Sequence, residues 1–205
     1  LVRYQNVRTA LLMDWDETSG LYVVTRFGDI RQLHHVREPG GTRRQLTFFP
    51  EPVGYAVRQP GGALLAFTMD AGGNEFAQIF LLDPGTGDAT MLTDGESRNG
   101  AIVWDKAGKR IAYRSTRRNG RSNDIWMMDA GAPERARAIF EAPDGSGWSP
   151  VEFSADGRQL LFNNYVSINE SSVHLLDLDS GVSRRLTDVG GSNSGAALTA
   201  GGFLF

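Results

Sequence analysis

The chain has 205 residues, of which 40% are hydrophobic and 22% charged, the composition of one or two globular domains and not of a disordered segment. Its 24 acidic and 21 basic residues leave a net charge of −3, which excludes nucleic-acid binding through bulk positive charge. No apolar run approaches the ~20 residues of a membrane-crossing helix, and with no cysteine the chain has no disulfide, thiolate nucleophile or cysteine-ligated zinc.

Glycine is abundant, 25 of 205 residues, against a usual ~7%, and its regular spacing signals tight turns in a repeat. In chain order, a divergent first copy runs from about Leu11 to Phe48, and a second from Val53 to Gly95. A third covers Asn99 to Ala142, a fourth Trp148 to Gly190, and the start of a fifth Ser194 to Phe205, turning at Gly201-Gly202. The second copy predicts four strands, Val53 to Arg58, Ala63 to Met69, Phe76 to Leu82 and Asp88 to Thr93, separated by Gln59-Pro60-Gly61-Gly62, by Asp70 to Glu75, and by Asp83-Pro84-Gly85-Thr86-Gly87.

Three landmarks hold the register. A turn glycine recurs at Gly20, Gly62, Gly108, Gly157 and Gly202, in steps of 42, 46, 49 and 45 residues. An aspartate closes an apolar run at Asp83, Asp129 and Asp177, in steps of 46 and 48. A Leu-Thr pair stands at Leu46-Thr47, Leu92-Thr93 and Leu186-Thr187, with Ile139-Phe140 in the third copy. The glycine suits positive φ in a tight hairpin, and the aspartate can accept hydrogen bonds from backbone two residues on. Leu65 and Phe67, Ile111 and Tyr113, and Leu160 and Phe162 stand at fixed offsets from their turn glycines and are expected to fill the space between stacked sheets. Trp104, Trp126 and Trp148 are expected in the same interfaces.

Helical periodicity is missing, so the predicted fold is all-β: a β-propeller of four-stranded antiparallel blades, about four and a half present in a single partial domain spanning residues 1–205. A four-bladed ring with tails is the compact alternative. The simpler expectation is a fragment of a seven- or eight-bladed ring, which needs roughly 320 to 370 residues, and such an open fragment is expected to self-associate.

The run Ala155-Asp156-Gly157-Arg158-Gln159-Leu160-Leu161-Phe162, the strand end Leu176-Asp177 and then Arg185-Leu186-Thr187 resemble the TolB-like propeller repeat. Further stretches carry the likeness on: Thr25 to Val53, Gly72 to Phe76, Leu92 to Gly100, Ser115 to Gly120, Gly145 to Pro150 and Asn163 to Ser171. Together they look like the N-terminal propeller of bacterial members of the prolyl oligopeptidase family of serine peptidases. The resemblance implies that catalysis belongs to a C-terminal α/β-hydrolase domain with a Ser-Asp-His triad. It also implies that the propeller gates and filters access for a peptide substrate. Dipeptidyl-peptidase relatives hold the substrate's amino terminus with a pair of adjacent glutamates on a propeller insertion; no such pair is present here.

The residues themselves agree that this segment is no catalyst. No Gly-x-Ser-x-Gly nucleophile elbow occurs; the nearest approach is Gly190-Gly191-Ser192-Asn193-Ser194. The three histidines, His34, His35 and His174, lie in strand-like segments, with His34 and His35 on opposite faces of one strand, and are expected to be structural or solvated. No converging set of histidines and carboxylates suggests a metal site, and no cofactor is expected. The polar candidates for substrate binding lie in the connections between second and third strands: Asn74 and Glu75; Arg117, Arg118 and Asn119; Asn164, Asn169 and Glu170. Such connections share one face of a blade with the links between blades, and loops on a rigid scaffold often bind ligands. Asn169-Glu170-Ser171 is also a formal glycosylation sequon. No secretion signal is visible, though the chain starts at Leu1 and not at a methionine, so cytoplasm and periplasm both stay open.

The expected function is therefore a non-catalytic, gating propeller segment of a serine peptidase, with the hydrolase domain and a peptide as partners and neither nucleic acid nor membrane. A TolB-like scaffold for protein binding is the alternative, and an enzyme using its own central channel a third.

Overall fold

The computed structural model describes residues 8–18, 20–70, 72–187, 190–193, 195–199 and 202–204. Ser194, Gly201 and Phe205, which define the start, turn and end of the fifth copy, lie outside the described residues, as do Leu1 and Ala71. The chain divides into two compact units, Leu1–Met91 and Leu92–Phe205. All regular structure among the described residues is β.

The first unit holds two four-stranded antiparallel sheets. One is formed by β1 (Leu11–Trp15), β2 (Leu21–Thr25), β3 (Gln32–Val36) and β4 (Arg43–Gln45), the other by β5 (Val53–Arg58), β6 (Leu65–Met69), β7 (Gln78–Leu82) and β8 (Ala89–Met91). Each sheet keeps its strands in sequence order, the blade topology that the repeat predicts. Tyr22, Val24, Leu33 and Leu46 of the first sheet pack on Val53, Ala56, Leu65, Phe67 and Leu82 of the second. Phe67 is fully buried and stacks with Phe49 and Phe80 at 5.7 and 5.3 Å; burial of such a side chain stabilises by about 2–3 kcal/mol. β6 is buried on both faces, so Leu-Ala-Phe-Thr has no polar alternation.

The second unit repeats the pattern with longer strands. β9 (Asn99–Trp104), β10 (Arg110–Ser115), β11 (Asp124–Asp129) and β12 (Ala132–Phe140) form one sheet, and β13 (Gly147–Phe153), β14 (Gln159–Ser167), β15 (Glu170–Asp177) and β16 (Ser183–Arg185) the next. A two-stranded hairpin, β17 (Ala197–Thr199) and β18 (Gly202–Leu204), follows. Ala112, Ile125 and Met127 pack on Trp148, Phe153, Leu160 and Phe162, while Leu161, Val173, Leu175 and Leu186 face Leu198 of the hairpin. The expected interface role of Leu65, Phe67, Leu160, Phe162 and Trp148 is met; Ile111, Tyr113 and Trp104 are buried as well.

The landmarks acquire specific causes. Thr47 and Thr187 are buried, and their hydroxyls accept the N–H groups of Leu33 (2.9 Å) and Val173 (3.2 Å). The preceding Leu46 and Leu186 continue the backbone pairing to the same two residues. A threonine is thus the point where the fourth strand ends and a side chain replaces its backbone on the third. In the third copy Phe140 fills the slot because β12 stays paired there, opposite Ile125.

Asp83 accepts the N–H of Gly85, two residues on, at 2.8 Å as expected, while Asp177 accepts that of Ser180, three residues on. At Asp129 the hairpin is too short for such a turn, since Asp129 already pairs with Ala132. The turn glycines divide too. Gly108 and Gly157 take φ of 65° and 68°, but in the second sheet the left-handed residue is Gly61, not Gly62. Gly20 is constrained by space, because a Cβ there would run into the Asp16 carboxylate.

One feature was not legible in the repeat. The first strand of every four-stranded sheet carries an irregularity against the second, at Leu12/Asp14, Val53/Ala56, opposite Ala112/Arg114, and at Pro150/Glu152. Bulges re-aim side chains and increase twist. In β9 the bulge includes Ala101 at φ 51°, a conformation disfavoured for a residue with a Cβ.

Candidate functional site

The candidate residues fall in three connections, and each is held differently. In the first unit, Asn74 and Glu75 are exposed in the link from β6 to β7. Gly72, Gly73 and Glu75 adopt φ of 67°, 70° and 61°. The Asn74 side chain accepts the N–H of Phe76 at 2.9 Å, an Asx turn. Glu75 in the left-handed region stores strain of order 1 kcal/mol and carries its carboxylate outward.

In the second unit the link from β10 to β11 is a charge network. Arg118 grips Asp124 with two bonds, Nε to Oδ2 at 2.7 Å and Nη2 to Oδ1 at 2.9 Å, and also donates to the Ala142 carbonyl. Asp124 is fully buried and accepts the Ala142 N–H at 2.8 Å. The pair therefore clasps the connector that leaves this sheet for the next. Gln32 does the same in the first unit, bonding the backbone of Phe49 and Glu51. In the last sheet Ser171 and Asn193 exchange three hydrogen bonds. That clasp occupies the segment nearest to a nucleophile elbow, Gly190 to Asn193; Ser194 lies outside the described residues.

Arg117 lies over the Trp126 ring at 5.1 Å and reaches Asp94 at 3.5 Å. Burial pushes the neighbouring Tyr113 hydroxyl up to about 12. Burial also raises Asp94, but hydrogen bonds from Ser97 and Glu96 and the Arg117 charge outweigh it and leave Asp94 below the usual carboxylate range. Asn119 caps its own loop, accepting from Arg121 and Ser122.

Asn164 and Glu170 stand in strands and not in a loop, because pairing of β14 with β15 continues to Ser167 opposite Glu170. Asn164 is buried and accepts the Ser146 hydroxyl at 2.6 Å. Asp144 receives the Ser146 N–H and the Trp148 indole N–H, and its hydrogen bond with the Ser146 hydroxyl is the leading cause of its lowered pKa. At the tip Asn169 and Glu170 are exposed beside Tyr165, Val166 and Ile168.

The sequence missed Arg114. It lies on β10 opposite Gly100 of β9, with Nη1 3.4 Å from the Ser149 hydroxyl on β13. A charge at the fifth position of an otherwise buried strand was the available signal.

The histidines are structural partners. His34 is fully buried with Nδ1 2.9 Å from the Gln32 carbonyl, and His35 meets Asp16 at 2.6 Å. His174 lies against Trp148 and Phe162; burial and then Arg185 lower its pKa. Among the described residues, no three histidines, aspartates or glutamates are grouped to hold a metal ion, and no helix is long and apolar enough to cross a membrane.

The family model of the prolyl oligopeptidase N-terminal beta-propeller domain matches residues 54–193. No curated protein sequence matches the chain. Among solved structures, a TolB of Agrobacterium tumefaciens superposes with a TM-score of 0.67 at 21% identity, covering 87% of this chain and 69% of that one. A prolyl endopeptidase, from a study of inter-domain dynamics in catalysis and specificity, gives 0.69 at 15% identity over 89% of this chain and 30% of its own. TolB of Acinetobacter baumannii gives 0.64 at 18% identity over 95% and 45%. The chain thus spans less than half of the latter two proteins, and all three likenesses speak to fold. The family match covers most of the sequence, and every four-stranded sheet has the blade topology it requires, so the chain belongs to the prolyl oligopeptidase family as part of an N-terminal β-propeller domain.

Proposed function

We propose that the four sheets and the following hairpin are one partial propeller that filters peptide access to a separate α/β-hydrolase domain and performs no chemistry of its own. The family match over residues 54–193 carries this reading. The candidate residues support it in two roles. Asn74, Glu75, Arg117, Asn119, Asn169 and Glu170 are exposed and would meet the peptide. Arg118 and Asn164 are engaged with Asp124 and Ser146 and would hold the links of the second unit in shape. A serine mechanism needs a nucleophile, a base, a group orienting the base and an oxyanion hole, and the described histidines are engaged with Gln32, Asp16 and Ser172.

A fluorophosphonate probe tests the assignment. The purified 205-residue chain should remain unlabelled, whereas the same segment joined to its hydrolase domain should react. In that longer protein, charge reversal at Glu75, Arg117 or Glu170 should alter the ranking of peptide substrates more than the rate of probe labelling. Stoichiometric labelling of the 205-residue chain would overturn the proposal.

A further inference from the structure

Arg114 and Ala112 share one face of β10, the face turned toward the next sheet. Ala112 enters the core with Phe153 and Leu160, and the Arg114 guanidinium continues that row to Ser149 on β13. Gly100 lies beside the guanidinium, where a Cβ would be in van der Waals contact, 3.4 Å from Nη2. The adjoining bulge holds Ala101 at φ 51°, so backbone strain is concentrated beside the same spot.

What sets this arginine apart is partial burial without a carboxylate. Arg58, Arg110, Arg117, Arg118 and Arg158 each face a carboxylate. Among the described residues Arg114 has none, and its one hydrogen-bond partner is a neutral hydroxyl at a long 3.4 Å. Burial depresses its pKa, and the positive charge of Arg98 depresses it further. A partly desolvated guanidinium beside a like charge lacks a counter-ion. A planar oxyanion would supply one through two parallel N–H···O bonds, and the Ser149 hydroxyl can donate a third.

We propose that Arg114 and Ser149 form a carboxylate-binding subsite, which takes the free C-terminus or an acidic side chain of a peptide. It rests on the peptide-filter reading and names the chemistry that the filter selects. The test uses the purified chain and one short dye-labelled peptide in three forms: neutral with an amidated C-terminus, neutral with a free C-terminus, and amidated with one glutamate. In fluorescence anisotropy at least one carboxylate form should bind about tenfold more tightly than the neutral amide, and which one identifies the source of the carboxylate. Arg114→Met should abolish that preference, and Arg114→Lys should restore part of it. If all three peptides bind alike, or the preference survives in Arg114→Met, the subsite is overturned while the filter stands; if none binds, both fail. Should Arg114→Met unfold by circular dichroism, the unmodified chain decides: the Arg114 Nε–H resonance should shift on titration with acetate, and an unmoved resonance overturns the subsite.

Discussion

The links from β6 to β7 and from β10 to β11 stand at the same place in the repeat and are built on opposite principles. The first is fixed by backbone: Gly72, Gly73 and Glu75 in left-handed conformations and a side chain bonded within its own turn. The second is fixed by a buried charge: Asp124, gripped by Arg118 and bonded to the departing connector. A blade repeat therefore conserves the position of a link without prescribing what holds it. The backbone-fixed link leaves Glu75 exposed, while the charge-fixed one commits an arginine to architecture.

Four perturbations sharpen this contrast. The largest effect is expected at the buried charge. Asp124→Ala strips Arg118 and the Ala142 N–H of their acceptor and should lower stability by about 3 kcal/mol, read as a fall in the urea midpoint at unchanged slope. A loss below about 1 kcal/mol would show that water replaces the clasp.

Thr47→Val should cost about 1–2 kcal/mol, since it leaves the buried Leu33 N–H without its hydroxyl acceptor. The same change at Thr187 should act alike on Val173. If Thr47→Val is silent, the Leu-Thr landmark reflects packing and not hydrogen bonding.

In the backbone-fixed link the sign reverses. Glu75→Gly removes left-handed strain and should raise the unfolding free energy by about 0.5 kcal/mol, with the greater freedom of glycine in the unfolded chain offsetting the rest. A destabilised Glu75→Gly would mean that its carboxylate holds the loop.

The fourth effect appears only in acid. Burial raises Asp16, but hydrogen bonds from His35, Gly20 and Thr18 dominate and bring it from 3.8 down to about 2. A carboxylate with a depressed folded pKa stabilises above its unfolded value and loses that contribution as pH falls through the folded one. Thermal stability should therefore fall between pH 4 and pH 2, and Asp16→Asn should flatten that window. An identical acid profile in Asp16→Asn would remove Asp16 from the account.

Much of the architecture was legible in the residues. In the second copy the first predicted strand, Val53 to Arg58, coincides with β5, and the other three contain β6, β7 and β8. Turn chemistry punctuates each strand at a constant period, and that signal is local. Its failures are local competitions as well: Gly61 took the left-handed conformation expected of Gly62, and β12 kept pairing where a Leu-Thr ending was absent. The site was less legible. Asn164 looks like a loop residue in the sequence because nothing in Asn163 to Ser171 announces that β14 and β15 remain paired to their tip. Arg118 looks like a binding group in the sequence because its partner, Asp124, reads as an ordinary strand-edge acid.

The sequence alone determined the all-β class, the blade period, the family and the lack of a nucleophile elbow, because turn glycines, apolar alternation and motifs act over a few residues. Tertiary structure decided which polar residues are free to act. Asp124 binds Ala142 from 18 positions away, Asn164 binds Ser146 across the same separation, and Arg114 meets Ser149 from 35. Those encounters arise only when strands pair and sheets stack, and burial then determines whether a charge is satisfied within the chain or left for a ligand.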